Sequence, residues 1–177
     1  QGQLISGGWT EQIEFKAADR QQYAYRVDVQ SVDGRRNTTT FDDNKTQSSV
    51  RFLMRLDIEL NQSDARLHEA VVYALDHMLA AQYRNGAWPQ KYEGDAQDDS
   101  DPELRASYPP TWPRAFPNEK YTNYYTLNDG TLCDLIETLL EAGQTYSDNR
   151  YHEAALRGGE FLLRAQMPAP QPGCLPH

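Results

Sequence analysis

The pattern Gln-x-x-x-Gly-x-Trp occurs twice, as Gln3-Leu-Ile-Ser-Gly7-Gly-Trp9 and as Gln82-Tyr-Arg-Asn-Gly86-Ala-Trp88, each followed within a few residues by a Gln and a Glu. A third copy opens with Ala165-Gln166, as Ala81-Gln82 opens the second, but Gly173-Cys174-Leu175-Pro176-His177 stands where its Trp would fall. The repeat extends beyond the turn. Ser63-Asp64-Ala65-Arg66-Leu67-His68-Glu69-Ala70 aligns without a gap on Ser147-Asp148-Asn149-Arg150-Tyr151-His152-Glu153-Ala154, and the same register carries Leu79-Ala80-Ala81-Gln82 onto Leu163-Arg164-Ala165-Gln166. Upstream, Asp43-Asn44-Lys45-Thr46 takes roughly the place of Asn128-Asp129-Gly130-Thr131. A unit repeated at this spacing implies stacked supersecondary modules, here two helix pairs. Because the first copy starts at residue 1 with no helix before it, residues 1–177 are expected to be one incomplete domain, cut at both ends from a larger repeat protein.

Apolar periodicity places the helices. Leu67, Ala70, Val71, Ala74, Leu75, Met78 and Leu79 recur at three- and four-residue spacing, which predicts a helix entered from a cap at Asp64 or Ser63. Tyr151, Ala154, Ala155, Leu162 and Leu163 form the matching stripe, with Gly158 and Gly159 read as points of close helix packing. The preceding helices are expected from Thr46 to about Leu60 and from Thr131 to about Ala142. Val50, Phe52, Leu53, Met54, Leu56, Ile58 and Leu60 surround most of the first one, which predicts enclosure on several sides. The fold class is therefore all-α, with long irregular or β insertions.

Two such insertions stand out. Residues 13–41 alternate apolar and polar positions at Tyr23, Tyr25, Val27 and Val29, a pattern that predicts a short hairpin, and include the pair Arg35-Arg36. Residues 91–126 combine an acidic half (Asp95, Asp98, Asp99, Asp101, Glu103) with an aromatic half (Tyr108, Trp112, Phe116, Tyr121, Tyr124, Tyr125). A loop of that length in a compact domain points to binding, set against a loop folded on its own aromatics.

The net charge of −9 excludes non-specific nucleic-acid binding. There is neither a run long enough to span a membrane nor a signal peptide. Cys133, in an apolar helix, reads as a small core residue. His68-Glu69 and His152-Glu153 lack the second His that a zinc helix requires and read as structural, and Asp98-Asp99-Ser100-Asp101 reads as a solvated charge run.

Three segments, Thr40-Phe41-Asp42-Asp43-Asn44-Lys45-Thr46-Gln47, Gly86-Ala87-Trp88-Pro89-Gln90-Lys91-Tyr92 and Tyr125-Thr126-Leu127-Asn128-Asp129-Gly130, resemble in order the signature segments of the family-10 pectate lyases, the pectic acid lyases. The resemblance runs from Gly7 to Gly173 and covers about the first half of that family's catalytic domain. It implies an (α/α) toroid, calcium-assisted β-elimination on polygalacturonate (pectin), a monomer, and export to the periplasm or the medium. The chain departs from the family in the length of the insertion after Tyr92 and in its ending.

By residue, the resemblance implies that Asp43 and Asp129 are Ca2+ ligands, with Asp42 and Asn44 as weaker candidates. From spacing alone these same residues read as helix N-caps. Calcium takes hard oxygen ligands, and a metal-bound uronate carboxylate no longer opposes loss of the C5 proton, so an acidic protein can hold an anionic polymer. The family's base is an arginine that falls beyond His177, so no catalytic residue is assigned within the chain. Asn44, Arg36, Trp112 and Tyr125 are candidates for substrate contact, while Arg35, Arg55 and Arg114 read as surface or packing residues.

Three rivals stay open. The Gln/Trp turn also occurs in terpene cyclases, so it specifies architecture rather than chemistry. Asp43 and Asp129 could form the acid and base of an inverting glycosidase. A non-catalytic repeat module could bind carbohydrate or protein through its aromatic loop.

Overall fold

Gln3 and Gln82 close two equivalent turns in the same way, and the helices hang on these ties. In the computed structural model, which describes residues 1–95, 105–107, 127 and 129–168, the Gln3 amide donates to Gly7 O (2.8 Å) and to Ala70 O (2.9 Å). Gln82 donates likewise to Gly86 O (3.0 Å) and Ala154 O (2.8 Å). Each amide oxygen accepts from an arginine, Arg26 on Gln3 and Arg157 on Gln82. Gly7 (φ 98°) and Gly86 (φ 95°) both lie in the left-handed region, and a Cβ on Gly86 would sit 2.1 Å from the Arg157 carbonyl oxygen. The motif is thus a buried strap from each turn to the helix that follows it in the repeat.

Among the described residues there are four α-helices: α1 (Lys45–Glu59), α2 (Ala65–Ala80), α3 (Thr131–Tyr146) and α4 (Asn149–Ala165). They pack as two hairpins, α1 on α2 and α3 on α4, joined through α1 against α3. Val50 and Met54 of α1, Val71, Leu75 and Met78 of α2, Leu135 and Leu139 of α3, and Tyr151 and Phe161 of α4 form one core around Trp88. Burying an aliphatic side chain of this size contributes about 1.5–3 kcal/mol. Trp88 also donates Nε1–H to Met78 O at 2.8 Å, and Trp9 packs against the same core half-buried.

A fully buried carboxylate, Asp57, ties three helices together. It is met at 2.8 Å by His68 Nδ1 and at 2.8 Å by the Tyr146 hydroxyl. His68 is structural, as expected. Burial, reinforced by the bond to Asp57, raises the Tyr146 pKa well above that of a free phenol.

Several expectations are corrected. The alternating segment forms no antiparallel hairpin: Tyr23 makes a parallel bridge to Arg36 within the segment and Tyr25 bridges outside it to Leu4, while β1 (Thr39–Thr40) pairs antiparallel with β2 (Lys91–Tyr92). Val27, expected on that hairpin, is exposed. α1 is not enclosed all round, since Phe52, Leu56, Ile58 and Leu60 are exposed and Val50 and Met54 alone of its apolar residues are fully buried. Leu163 is exposed, and Phe161 takes the inward position on α4. Gly158 is a close-packing point, its hypothetical Cβ 2.8 Å from both Ile136 and Trp88, but Gly159 faces open space. Cys133 is exposed rather than in the core. The acidic run Asp98–Asp101 lies outside the described residues, as do Trp112, Arg114 and Tyr125.

Candidate metal centre

The starts of the four helices separate into two kinds. At α2, Asp64 Oδ1 accepts from the backbone of Arg66 (3.0 Å) and Leu67 (3.1 Å), and at α4 Asp148 accepts from Arg150 N (2.9 Å). These aspartates cap their helices by the usual route. At α1 and α3 no side chain caps the first turn. Instead the chain enters through left-handed residues, Asp43 (φ 51°) and Asn44 (φ 57°) before α1, Asp129 (φ 47°) and Gly130 (φ 73°) before α3. Non-glycine residues in this region cost of order 1–3 kcal/mol unless their surroundings hold them there, and such positions concentrate at functional sites. The backbone thus matches Asp43 to Asp129, one residue along from the alignment that set Asp43 beside Asn128.

The consequence is convergence. One carboxylate oxygen from each of Asp42, Asp43 and Asp129 lies within 4.8 Å of the others. The local turn is stiffened by Asp42 Oδ1, which accepts from Asp43 N at 3.1 Å, and by Thr40 Oγ1, which accepts from Asp42 N at 3.3 Å. Lys45 Nζ stands 2.6 Å from Asp43 Oδ2 and offsets part of the repulsion among the three carboxylates. Beneath them, Gln47 on α1 donates to Phe41 O (2.8 Å) and reaches Thr131 O on α3 (3.4 Å), locking the two helix starts together.

The donor set fits a hard divalent cation. Three carboxylates in one small space supply the oxygen ligands that calcium takes, with neither Cys nor His in the group. At the same two helix starts Asn44 Oδ1, Gln47 Oε1 and Thr131 Oγ1 are buried and meet no hydrogen-bond partner among the described residues. Leaving such atoms unsatisfied costs about 1–3 kcal/mol each, so this region is built to meet further polar groups. The close approach of Asp43 to Asp129 also argues against an inverting acid/base pair, whose carboxyl groups stand about 6.5–9.5 Å apart to admit a water.

The profile of the pectic acid lyase family matches residues 3–150. The chain belongs to that family. Among solved structures it is similar to a family 10 polysaccharide lyase from Cellvibrio cellulosa, with a TM-score of 0.55 and 18% identity, covering 92% of this chain and 42% of that one. The pectic acid lyase chain therefore spans less than half the length of this structural relative. No curated protein matches it.

Arg36 of this pectic acid lyase family chain lies apart from the triad's own ligands. Its guanidinium rests 5.3 Å from the centre of the Tyr23 ring, and it lines a polar groove with Thr10, Glu11, Thr38, Thr40, Lys91 and Glu93. Arg55 is a surface residue paired with Glu141 at 3.3 Å. Sequence reasoning passed over Lys45, Glu11 and Lys91. Lys45 had a signal in its position two residues after Asp43, but Lys91 is brought in by the pairing of β1 with β2, and Glu11 by the first turn, whose Trp9 O accepts from Thr40 N.

Proposed function

We propose that this chain is part of a polysaccharide lyase that cleaves polygalacturonate by calcium-assisted β-elimination, with Asp43 and Asp129 as metal ligands and Asp42 as a third. The observation that carries this reading is the convergence of the three carboxylates at helix starts where none of them caps the helix. Membership of the pectic acid lyase family supports the reaction class. Calcium, when bound, would supply positive charge against a uronate carboxylate and so lower the cost of forming a second negative charge at C5.

The chain's own residues then have distinct tasks. Asp42, Asp43 and Asp129 would hold the cation, with Asp43 and Asp129 presented by left-handed backbone. Gln47 keeps the two helix starts at constant separation, so the ligands are positioned before substrate arrives. Asn44 presents a buried amide oxygen beside them. Trp112 and Tyr125 remain candidates for a sugar face. The C5 base is assigned to no residue of this chain. An (α/α) toroid is the architecture we propose for the whole enzyme, and its polymeric substrate places its work outside the cytoplasm, in the periplasm or the medium. Among the described residues no helix is long and apolar enough to cross a membrane.

Calcium titration by calorimetry tests the reading directly. The chain should bind calcium, and Asp43→Ala and Asp129→Ala should each abolish that binding with the helical circular dichroism unchanged. Equal calcium affinity in wild type and both variants would sink the proposal.

A further inference from the structure

We infer that the groove between the first turn and the β1–β2 pair is a second subsite, which takes the carboxylate of a neighbouring uronate on Arg36 and Lys91 without metal. The inference rests on the polyuronate reading above, because a polymer with a carboxylate on every sugar must place more than one of them on the protein.

The groove has a volume of about 160 Å3, equivalent to roughly five waters at ~30 Å3 each and comparable to one pyranose ring. Its cations are available. Among the described residues neither Arg36 nor Lys91 forms an ion pair, although Glu11 and Glu93 line the same groove. Those carboxylates are occupied by hydroxyls instead: Thr38 donates to Glu93 at 3.1 Å and Thr10 donates to Glu11. The bond from Thr10, helped by the nearby charges of Lys91 and Lys45, holds the Glu11 carboxyl below its usual pKa, so it stays an acceptor. The groove therefore offers both donors for a carboxylate and acceptors for sugar hydroxyls. A uronate presents both groups, whereas a simple anion or a neutral hexose presents one.

The scaffold is rigid. Arg36 is tied through its backbone to Gln22 (2.9 Å) and Ala24 (3.0 Å), and Lys91 sits opposite Thr40 in the β1–β2 register. Between them Asn37 accepts from Ser6 N (2.9 Å) and donates to Glu93 O (2.8 Å). Little order has to be gained on binding, which favours affinity. The Arg36 guanidinium, lying against Tyr23, is suited to a planar bidentate contact with a carboxylate.

The groove adjoins the metal centre along the sequence. Thr40 lines the groove, and Asp42 and Asp43 follow it directly in sequence; Lys45, the partner of Asp43, also acts on Glu11. A polyuronate with one carboxylate over the triad would lay an adjacent one toward Arg36 and Lys91. A methyl ester there could not pair with either cation, so the groove would discriminate against esterified polymer.

The test is a calorimetric titration of the full 177-residue chain with a short oligogalacturonate, run with calcium and again with a chelator. The chelator should leave a weak, salt-sensitive component. Arg36→Gln and Lys91→Gln should each lower that component about tenfold, the scale of one lost charge-assisted contact, with circular dichroism unchanged. Asp43→Asn should remove the calcium-dependent component alone. Loss of the calcium effect with the chelator-resistant binding intact would count against the metal reading and leave the groove standing. The groove assignment is overturned by absence of chelator-resistant binding, by unchanged affinity in both glutamine variants, or by equal binding of polyglutamate or of the fully methyl-esterified oligomer.

Discussion

Aspartate does two different jobs at the helix starts of this chain, and backbone conformation tells them apart. Asp64 enters α2 with extended dihedrals and turns its carboxylate onto the first amides, whereas Asp43 and Asp129 adopt φ near 50° and leave those amides alone. Substitution should separate the roles. Asp64→Ala is expected to lower stability by about 1 kcal/mol in urea unfolding, the cost of a lost cap. Asp43→Ala removes no cap, and without calcium the relief of repulsion from Asp42 and Asp129 should offset the lost pair with Lys45, so its stability should stay nearer to wild type than that of Asp64→Ala. Parallel losses of stability in both variants would restore a capping role to Asp43. Spacing put both sets of aspartates at helix starts and read both as caps, because the sign of φ is not written in residue type. The resemblance to pectate lyases singled out Asp43 and Asp129, and the bond from Lys45 to Asp43 emerged with the fold.

The elements were legible wherever local pattern and local contact coincide. α2 and the cap at Asp64 follow from a three- and four-residue stripe that faces the core, and the Gln-x-x-x-Gly-x-Trp turns recur with matching hydrogen bonds. Pattern fails where partners are distant or missing. Tyr23 and Tyr25 alternate as a strand would, yet Tyr25 bridges to Leu4 and Tyr23 to Arg36, and Thr39–Thr40 finds its partner at Lys91–Tyr92. Phe52 is as apolar as a core residue but meets solvent, because periodicity records which faces are apolar and not which are covered. The turns themselves are open to test. Trp88→Ala should cost about 3–5 kcal/mol through lost burial, and Gly86→Ala should lower the thermal midpoint sharply, since its methyl would meet the Arg157 carbonyl at 2.1 Å. Unchanged midpoints would show that the turns are not structural ties.

At the scale of the whole molecule, the tyrosines that join its parts set an alkaline limit on stability. Burial raises the pKa of Tyr25 in the N-terminal turn region, of Tyr73 on α2 and of Tyr92 on β2; it pushes Tyr151 on α4 up to about 12, and with Asp57 it drives Tyr146 on α3 higher still. In the unfolded chain each phenol would titrate near 10. The folded state therefore holds these protons more tightly than the unfolded state does. Their contribution to stability is complete below about pH 10 and is lost as pH rises beyond it, because the unfolded chain gives up its protons first. The urea midpoint should accordingly begin to fall as pH passes about 10. Tyr146→Phe should make that fall shallower, since the variant keeps the ring, loses the hydroxyl bond to Asp57 and has one fewer proton to lose. Asp64→Ala supplies the control: it removes a cap and no phenol, so it should lower the midpoint at every pH and leave the alkaline slope closer to wild type than Tyr146→Phe does. A midpoint constant through pH 11, or identical slopes in the two variants, would show that these phenols do not govern the alkaline limit.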